Sequence, residues 1–330
     1  MPRSRRLFIS KQPYMLTFRV AEGLPFVATH YMKLILEGCI ARTQRNYKVT
    51  LCHHLWMGNH PHLLVVTSSP DQLKDFYAEL QKKITDSIKA LLGVRKLRLW
   101  EGRPVVARVA TLDDTIEQIV YLYANPCRAN LVQSIDDYPG FSSYQIFKSC
   151  HAAGVSASQE IRSRWLRVDD IPTLPHRVMK FMDDRLFTAQ LQEQGVKQSY
   201  HVEPNAWMKA FGVEKDDEVQ RINETILTSL KRREAEHARE RAALGKSILG
   251  AKALRHQPIM RAHTPKPGQR KIFIICGDKE RRIAFIQSFK QLCKDCYQCY
   301  LDTLAGLRVK WPAGVFRPPM GVYASAIDVY

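Results

Sequence analysis

Residues 47–68 constrain the fold of this chain more than any other stretch. The run YKVTLCHHLWM (47–57) and the run HPHLLVVTS (60–68) are rich in β-branched, aromatic and aliphatic residues, and only Gly58-Asn59 separates them. A Gly-Asn pair between two such runs is typical of a tight turn. The stretch therefore predicts an antiparallel β-hairpin, around which the flanking segments can be interpreted.

The segments around this hairpin alternate between strand-like and helix-like patterns. YMLTFRV (14–20) predicts a strand, and apolar residues at helical spacing predict a helix over about 25–45. Ser69-Pro70-Asp71 has the composition of a helix start, and this second helix runs to about residue 92. RPVVARVA (103–110) predicts a fourth strand.

A third helix follows the fourth strand. Thr111 with Asp114 three residues later predicts its start, and the helix extends through Tyr123. Asn125-Pro126 is expected to end it, because the residue before a proline is disfavoured in helical conformation.

The order β-α-β-β-α-β plus one helix predicts an α+β fold of the ferredoxin-like type, an antiparallel sheet with helices on one face. A mostly helical C-terminal region is expected to follow. The predicted units are a ferredoxin-like domain over 1–150, a helical region over 151–254, a basic linker over 255–271, and a C-terminal helix with an irregular tail over 272–330.

The charge balance indicates a polyanionic partner. The chain has a formal net charge of +18 at pH 7, which favours nucleic acid binding. No run approaches the about 18 uncharged apolar residues of a membrane span, and the basic start lacks the apolar core of a signal peptide. A cytoplasmic, nucleoid-associated protein is expected. Its eight cysteines are interpreted as reduced thiols.

Two short motifs point to chemistry. His60 and His62 are two residues apart on a predicted strand, so both imidazoles project from one face and could bind one metal ion. The alternative is a pair of surface histidines. Tyr121 and Asn125 are four residues apart on a predicted helix and share a face, which suits a tyrosine nucleophile beside a metal-binding amide. Tyr123 points elsewhere, for packing or base stacking.

In this order and on this frame, the motifs resemble those of the REP-associated tyrosine transposases, a group of the single-tyrosine HUH transposases. The resemblance covers about residues 7–150. The stretches that carry it are PYMLTFRV (13–20), MGNHPHLLVV (57–66), LWEGRPVVARVA (99–110), YLYANPCRANLV (121–132) and YPGFSSYQIF (138–147).

The resemblance implies a site and a reaction. His60, His62 and the Asn125 side chain would bind Mg²⁺ or Mn²⁺ beside a phosphate of single-stranded DNA. The Tyr121 hydroxyl would attack that phosphate, giving a 5′-phosphotyrosine and a free 3′-OH that can later rejoin DNA. Hairpin-forming repeated extragenic palindromes are the implied targets, and the protein would act as a monomer or homodimer.

The sequence departs from the family pattern at three positions. Gly58 replaces a proline, Pro61 replaces a hydrophobic residue between the histidines, and Met15 stands where many members have histidine. Because Pro61 lacks an N–H, this strand end is expected at a sheet edge or bulge. The alternative function is a protein that binds single-stranded or hairpin DNA, or RNA, without cutting it.

Several basic residues are candidates for contacting phosphates, with an aromatic ring to stack on a base. The alternative is a solvated loop. The candidates are Arg3, Arg5 and Arg6 in an N-terminal arm and Arg95, Lys96, Arg98 and Trp100 before the fourth strand.

Other polar groups are assigned structural roles. In CKDCYQC (293–299), helical spacing turns the first and last cysteines about 240° apart, which favours ordinary thiols over a zinc or iron–sulfur site. Strand alternation places Cys52 and His54 on one face, for packing or DNA contact. Glu117 is interpreted as a solvated carboxylate, and Arg128 as a group that bonds carbonyls at the helix end.

Overall fold

The computed structural model describes residues 8–154, 158–174, 184–264 and 273–312. Arg3, Arg5 and Arg6 lie outside the described residues, as does the tail over 313–330. In chain order the strands and helices are β1 (Pro13–Thr17), α1 (His30–Gln44), β2 (Thr50–Met57), β3 (His60–Val66), α2 (Pro70–Leu92), β4 (Val105–Val109), α3 (Leu112–Arg128), α4 (Tyr144–Ala152), β5 (Gln159–Trp165), α5 (Asp184–Gln194), β6 (Val196–Val202), α6 (Asp216–Ala243), α7 (Ala251–Arg255), β7 (Ile274–Ile275) and α8 (Lys279–Leu304).

The main sheet has the strand order β2-β3-β1-β4-β7. Each neighbouring pair among its first four strands is antiparallel, as the ferredoxin-like pattern predicts. β7 extends the sheet by pairing parallel to β4. The fold is therefore α+β, with a ferredoxin-like unit followed by a mostly helical region.

Helices cover both faces of this sheet. α1 and α2 pack on one face and form a first core with Leu63 and Val65 of β3. The prediction of helices on one face only is therefore correct for these two helices but not for the sheet as a whole. α3, α4 and α6 cover the opposite face and form a second core with Leu64 of β3.

Local sequence signals set the ends of these elements. Met57 pairs with His60, so Gly58-Asn59 is the predicted two-residue turn. The Ser69 side chain accepts a hydrogen bond from the N–H of Gln72 at 3.3 Å and begins α2. Gly93, at φ 65°, ends that helix in the left-handed conformation that glycine adopts without strain.

Contrary to the sequence prediction, α3 continues through Pro126 and ends at Arg128. A proline cannot donate to the carbonyl four residues before it, here that of Leu122. The Asn125 side-chain amide donates to this carbonyl instead, at 3.4 Å. The helix resumes with the N–H of Ala129 donating to the Asn125 carbonyl at 2.9 Å. Asn125-Pro126 is thus inside the helix because the lost hydrogen bond is replaced locally.

Pro61 is not at a sheet edge, which corrects a second expectation. β3 lies between β2 and β1, with Pro61 opposite Trp56 of β2. The ladder between β1 and β3 starts one residue later, where Thr17 pairs with His62. The Pro61 carbonyl still accepts from the N–H of Phe18 at 3.3 Å. Proline is tolerated here because it lies at the end of one ladder.

A β-bulge in β2 changes the faces of its polar residues. Cys52 lies in the second core, and His53 points the same way, with its Nδ1 2.8 Å from the Tyr123 hydroxyl. The His54 ring instead packs 4.4 Å from that of Phe141 in the first core. The prediction that Cys52 and His54 share a face is wrong, because a bulge inserts one extra residue into the alternation.

The region beyond residue 154 includes more than helices. β5 and β6 form a separate two-stranded antiparallel sheet, within the segment expected to be helical. The predicted final helix is present as α8, which is continuous through Cys293, Cys296 and Cys299. Over the described ranges, no helix combines the length and apolarity needed to cross a membrane.

Candidate active site

His60 and His62 lie side by side at the start of β3. Their ring centroids are 4.9 Å apart and the ring planes are nearly perpendicular, at 87°. Strand alternation places both on the face that carries Leu64, the face covered by α3. The arrangement brings two imidazoles together beneath the helix that carries Tyr121.

The His62 side chain is buried and held from one side only. Its Nδ1 is 3.0 Å from the Thr17 hydroxyl on the neighbouring strand β1. Its Nε2 is buried and has no hydrogen-bond partner among the residues that the structure describes. Burial lowers the pKa of His62 to about 3, and the neighbouring His60 adds to this effect. His62 is therefore neutral at pH 7, and no described residue hydrogen-bonds to its Nε2.

His60 is held by the adjacent turn residue. Its Nδ1 is 2.6 Å from the carbonyl oxygen Oδ1 of Asn59. A carbonyl oxygen only accepts, so Nδ1 carries the hydrogen and the lone pair is on Nε2. Burial, with a smaller contribution from the positive charge of Arg19, lowers the pKa of His60 to about 4. Like His62, it is neutral at pH 7 and presents Nε2 for coordination.

Tyr121 faces this pair from α3. Its ring centroid is 6.1 Å from that of His62. The Arg128 guanidinium donates to the Tyr121 hydroxyl at 3.0 Å and lies over the ring, 5.4 Å from its centroid. Arg128 was expected to bond carbonyls at the helix end. It contacts the tyrosine instead, because seven residues are two turns of a helix and place both side chains on one face.

Asn125 lies one turn after Tyr121 and is almost fully buried. Its Nδ2 donates to the Leu122 carbonyl at 3.4 Å, which leaves Oδ1 as the atom available to a metal ion. Tyr121 and Asn125 both lie in α3, four residues apart, so they share one face of this helix as predicted. The bond to Leu122 follows from Pro126, so the proline helps to orient the amide.

The chemical types of these three donor atoms suit a divalent metal ion. Two neutral imidazoles and an amide oxygen form a mixed nitrogen and oxygen set, which suits Mn²⁺ and accommodates Mg²⁺. A buried ring nitrogen without a partner is costly unless a ligand satisfies it, and among the described residues His62 Nε2 is such an atom. Across the described parts of the chain, no group of three or more His, Cys, Asp or Glu side chains is placed to hold a metal ion; the histidine–amide set is a different combination.

The candidate DNA-binding residues fall into two kinds. Arg95, Lys96 and Arg98 are exposed in the loop after α2. Trp100 is engaged within the protein: its indole N–H donates to the Thr85 hydroxyl at 2.9 Å, and its ring packs edge-on against Phe18 at 5.7 Å. The three cations remain available to phosphates, whereas the indole ring contributes to the first core.

Two other residues of α3 have structural contacts. Glu117 forms an ion pair with Arg233 of α6, with 3.0 Å between nitrogen and oxygen. Tyr123 is fully buried, and its hydroxyl contacts Ser143 at 3.0 Å as well as His53. Packing is therefore the role of Tyr123.

Sequence reasoning missed four residues of this site: Thr17, Asn59, Arg128 and His263. Two of them could have been found from the sequence: Asn59 because it is adjacent to His60, and Arg128 because it lies two helical turns after Tyr121. The contact of Thr17 with His62 could be predicted only if the register between β1 and β3 were known. His263, whose Nε2 is 3.0 Å from Asn59 Nδ2, had no local signal because 204 positions separate the two residues.

Comparisons with known proteins find similarity among solved structures. No family model and no curated protein matches this chain. A solved structure described as "Structure of the REP associates tyrosine transposase bound to a REP hairpin" aligns with 45% of this chain and 86% of its own, at 19% sequence identity and a TM-score of 0.39. These values are too low to carry a family or a function to this chain, so any functional assignment depends on the site itself.

Proposed function

We propose that this protein is a metal-dependent endonuclease and strand transferase for single-stranded DNA, with Tyr121 as its nucleophile. The observation that carries the proposal is the position of the Tyr121 ring, 6.1 Å from a buried histidine whose Nε2 has no partner in the described part of the chain. A metal-binding pair and a nucleophilic hydroxyl are the two parts that such a reaction requires. Both are contributed here by one chain.

His60, His62 and Asn125 would hold Mg²⁺ or Mn²⁺. The ion, when bound, would polarise the scissile phosphate and offset its charge. The histidines act as ligands and not as general bases, because pKa values of about 3 and 4 make them very weak proton acceptors at pH 7.

Tyr121 and Arg128 would carry the covalent step. The Tyr121 oxygen forms a bond to phosphorus as the bond from phosphorus to the 3′ oxygen breaks. The phenol proton leaves to solvent, and the departing 3′ oxygen gains one. The Arg128 guanidinium, which already donates to the tyrosine oxygen, stabilises negative charge that develops there. The reverse reaction, with another 3′-OH, rejoins DNA.

The charge distribution supports a DNA partner. The net charge of +18 favours a polyanion, and the exposed Arg95, Lys96 and Arg98 are the proposed phosphate contacts. Hairpin DNA is the proposed substrate, following the sequence resemblance. Because Tyr121 lies beside the histidines of its own chain, the arrangement supports action in cis by a monomer, or by each subunit of a homodimer.

The test is cleavage of labelled single-stranded DNA hairpins in the presence of Mn²⁺ or Mg²⁺. We expect cleavage by the unmodified protein, removal of cleavage by chelation, and no cleavage by Tyr121→Phe or His62→Ala. Tyr297→Phe and His256→Ala, at exposed positions, are matched controls that should cleave normally. Cleavage by Tyr121→Phe would refute the nucleophile. Tight hairpin binding without cleavage by any variant would favour the binding-only alternative.

A further inference from the structure

Asn59 lies between two histidines from distant parts of the chain. Its Oδ1 is 2.6 Å from Nδ1 of His60, and its Nδ2 is 3.0 Å from Nε2 of His263. An asparagine amide has an acceptor end and a donor end. Donating to His263 therefore turns the acceptor end towards His60.

His263 is placed by backbone contacts and not by its side chain alone. The Gly23 N–H donates to the His263 carbonyl at 3.1 Å, and the Met260 N–H donates to the Leu24 carbonyl at 3.1 Å. Leu24 also forms a β-bridge with Arg261. The segment 258–263, part of the predicted linker, thus lies along the loop after β1.

The same loop holds the turn that carries Asn59. The Val20 N–H donates to the Asn59 carbonyl at 3.0 Å, and the Phe26 N–H donates to the Gly58 carbonyl at 3.1 Å. The loop over 20–26 therefore fixes both Asn59 and the segment that carries His263. Their separation is set by backbone contacts on both sides.

The orientation of the Asn59 amide determines which His60 nitrogen carries the proton. In the observed orientation Oδ1 accepts from His60, which requires the proton on Nδ1 and leaves the lone pair on Nε2. With the amide reversed, Nδ2 would donate to Nδ1, and the proton of a neutral ring would be on Nε2. A protonated Nε2 cannot bind a metal ion.

We propose that Asn59 and His263 are positioning residues that hold His60 in the Nδ1–H tautomer, with Nε2 ready for metal binding. His263 acts through Asn59 by accepting from its amide. Residues after 255 would therefore complete a metal site whose ligands all lie before residue 150. This inference rests on the metal site of the proposed function, although the tautomer itself exists without metal.

The first measurement is the His60 tautomer in the metal-free protein, from long-range ¹H–¹⁵N correlations of the imidazole nitrogens. We expect Nδ1–H in the unmodified protein and a mixture of tautomers in Asn59→Ala and His263→Ala. His263→Gln should restore the original tautomer, because its side-chain oxygen can accept from Asn59. His256→Ala, which replaces an exposed histidine at the start of the predicted linker, is the control.

The second measurement is Mn²⁺ affinity by electron paramagnetic resonance. Loss of the hydrogen-bond partner of a metal-binding histidine weakens binding by about 10- to 100-fold. We expect a weakening of this size in Asn59→Ala, a smaller one in His263→Ala, and recovery in His263→Gln.

A double variant separates positioning from general structural damage. In Asn59→Asp, the carboxylate accepts from His60 Nδ1 in either orientation, so the further change His263→Ala should have no effect on tautomer or affinity. An unchanged His60 tautomer in both single alanine variants, with the fold intact, would overturn the inference. Failure of the unmodified protein to bind Mn²⁺ would refute the proposed function, while the metal-free tautomer would still decide the role of Asn59 and His263.

Discussion

Arg128 and His62 prepare the two sides of the candidate site in different ways. His62 is kept neutral by burial, which lowers its pKa to about 3, and its Nε2 has no hydrogen-bond partner among the described residues. Arg128 donates to the Tyr121 oxygen from the other side. Under the proposed function, neutral side chains would bind the metal ion, and a cation would stabilise the charge that develops on the phenol oxygen.

We predict that Arg128→Ala lowers the cleavage rate by about 100-fold, the usual effect of removing one donor from an oxygen that becomes negatively charged. The measurement is single-turnover cleavage of a hairpin at saturating protein, which separates the chemical step from DNA binding.

Arg221→Ala is the control, because it removes one exposed arginine of α6 that pairs only locally, with Asp217. If Arg128→Ala and Arg221→Ala slow cleavage equally, the contribution of Arg128 is general charge and not contact with Tyr121.

The residues of the site differ in how visible they are in sequence. His60, His62 and Tyr121 were predicted because strand and helix periodicity alone determine which face they occupy. The contact between Arg128 and Tyr121 was missed, although two helical turns separate the residues, because an arginine near a helix end has another common role. His263 could not be predicted, since its position depends on the path of the chain over 204 residues.

At the scale of one strand, β2 carries an unusual pair of buried histidines. His53 and His54 are fully buried on opposite sides of the sheet, a consequence of the bulge. Burial lowers the pKa of both to about 3, whereas an unfolded histidine has a pKa of about 6.5. Both nitrogens of His54 lack hydrogen-bond partners among the described residues. These two side chains therefore resist protonation as long as the protein is folded.

We predict that the free energy of unfolding falls as the pH drops below about 6.5. Between pH 6.5 and pH 3 the unfolded chain binds protons that the folded chain does not, so stability is complete above 6.5 and is lost on acidification. Between pH 7.5 and 5.5 the loss is about 1.4 kcal/mol for each of the two histidines. Urea titrations at both pH values measure it.

His54→Leu should show a smaller pH dependence than the unmodified protein, because it removes one of these groups without removing a hydrogen bond. The exposed His256→Ala should retain the full dependence. An unfolding free energy that is the same at pH 7.5 and 5.5 would show that the buried histidines, His53 and His54 among them, accept protons in the folded protein.

Elements were predictable where their signals are local. The hairpin and α2 were predicted from turn and cap residues, and their observed bounds agree closely with the prediction. The continuation of α3 through Pro126 was not, because it depends on one side-chain hydrogen bond from Asn125. The strands β5 and β6 were missed for two reasons. They pair across 30 intervening residues, and polar side chains occupy so many of their positions that the apolar alternation typical of a strand is weak.

At the scale of the molecule, later elements complete the core of the first 150 residues. Trp207 and Met208, together with Ile226 and Leu230 of α6, are buried in the second core beside Tyr123 of α3. β7 adds a strand to the main sheet. The domain boundary at residue 150 remains a prediction. In the structure α3, the helix that carries Tyr121, packs against α6, which lies after that boundary.

We predict that a fragment of residues 1–154 does not fold stably by itself. Exposing one large apolar side chain that is normally buried lowers the free energy of unfolding by about 1.5 to 3 kcal/mol. Several such losses together are comparable to the whole free energy of unfolding of a domain, about 5 to 15 kcal/mol. Thermal unfolding followed by circular dichroism should show no cooperative transition in the fragment. A cooperative transition within a few degrees of that of the full chain would show that α6 is dispensable for folding.

The most direct test of the proposed chemistry is capture of the covalent intermediate. Hairpin DNA labelled at either its 5′ or its 3′ end is incubated with the full chain and Mn²⁺, and the products are separated by denaturing electrophoresis and mapped by peptide mass spectrometry. We expect the 3′ label, on the downstream fragment, to remain on the protein and to map to the peptide that contains Tyr121. Attachment at another residue, attachment of the 5′-labelled fragment, or efficient cleavage without any protein-linked DNA would contradict a tyrosine nucleophile at this position.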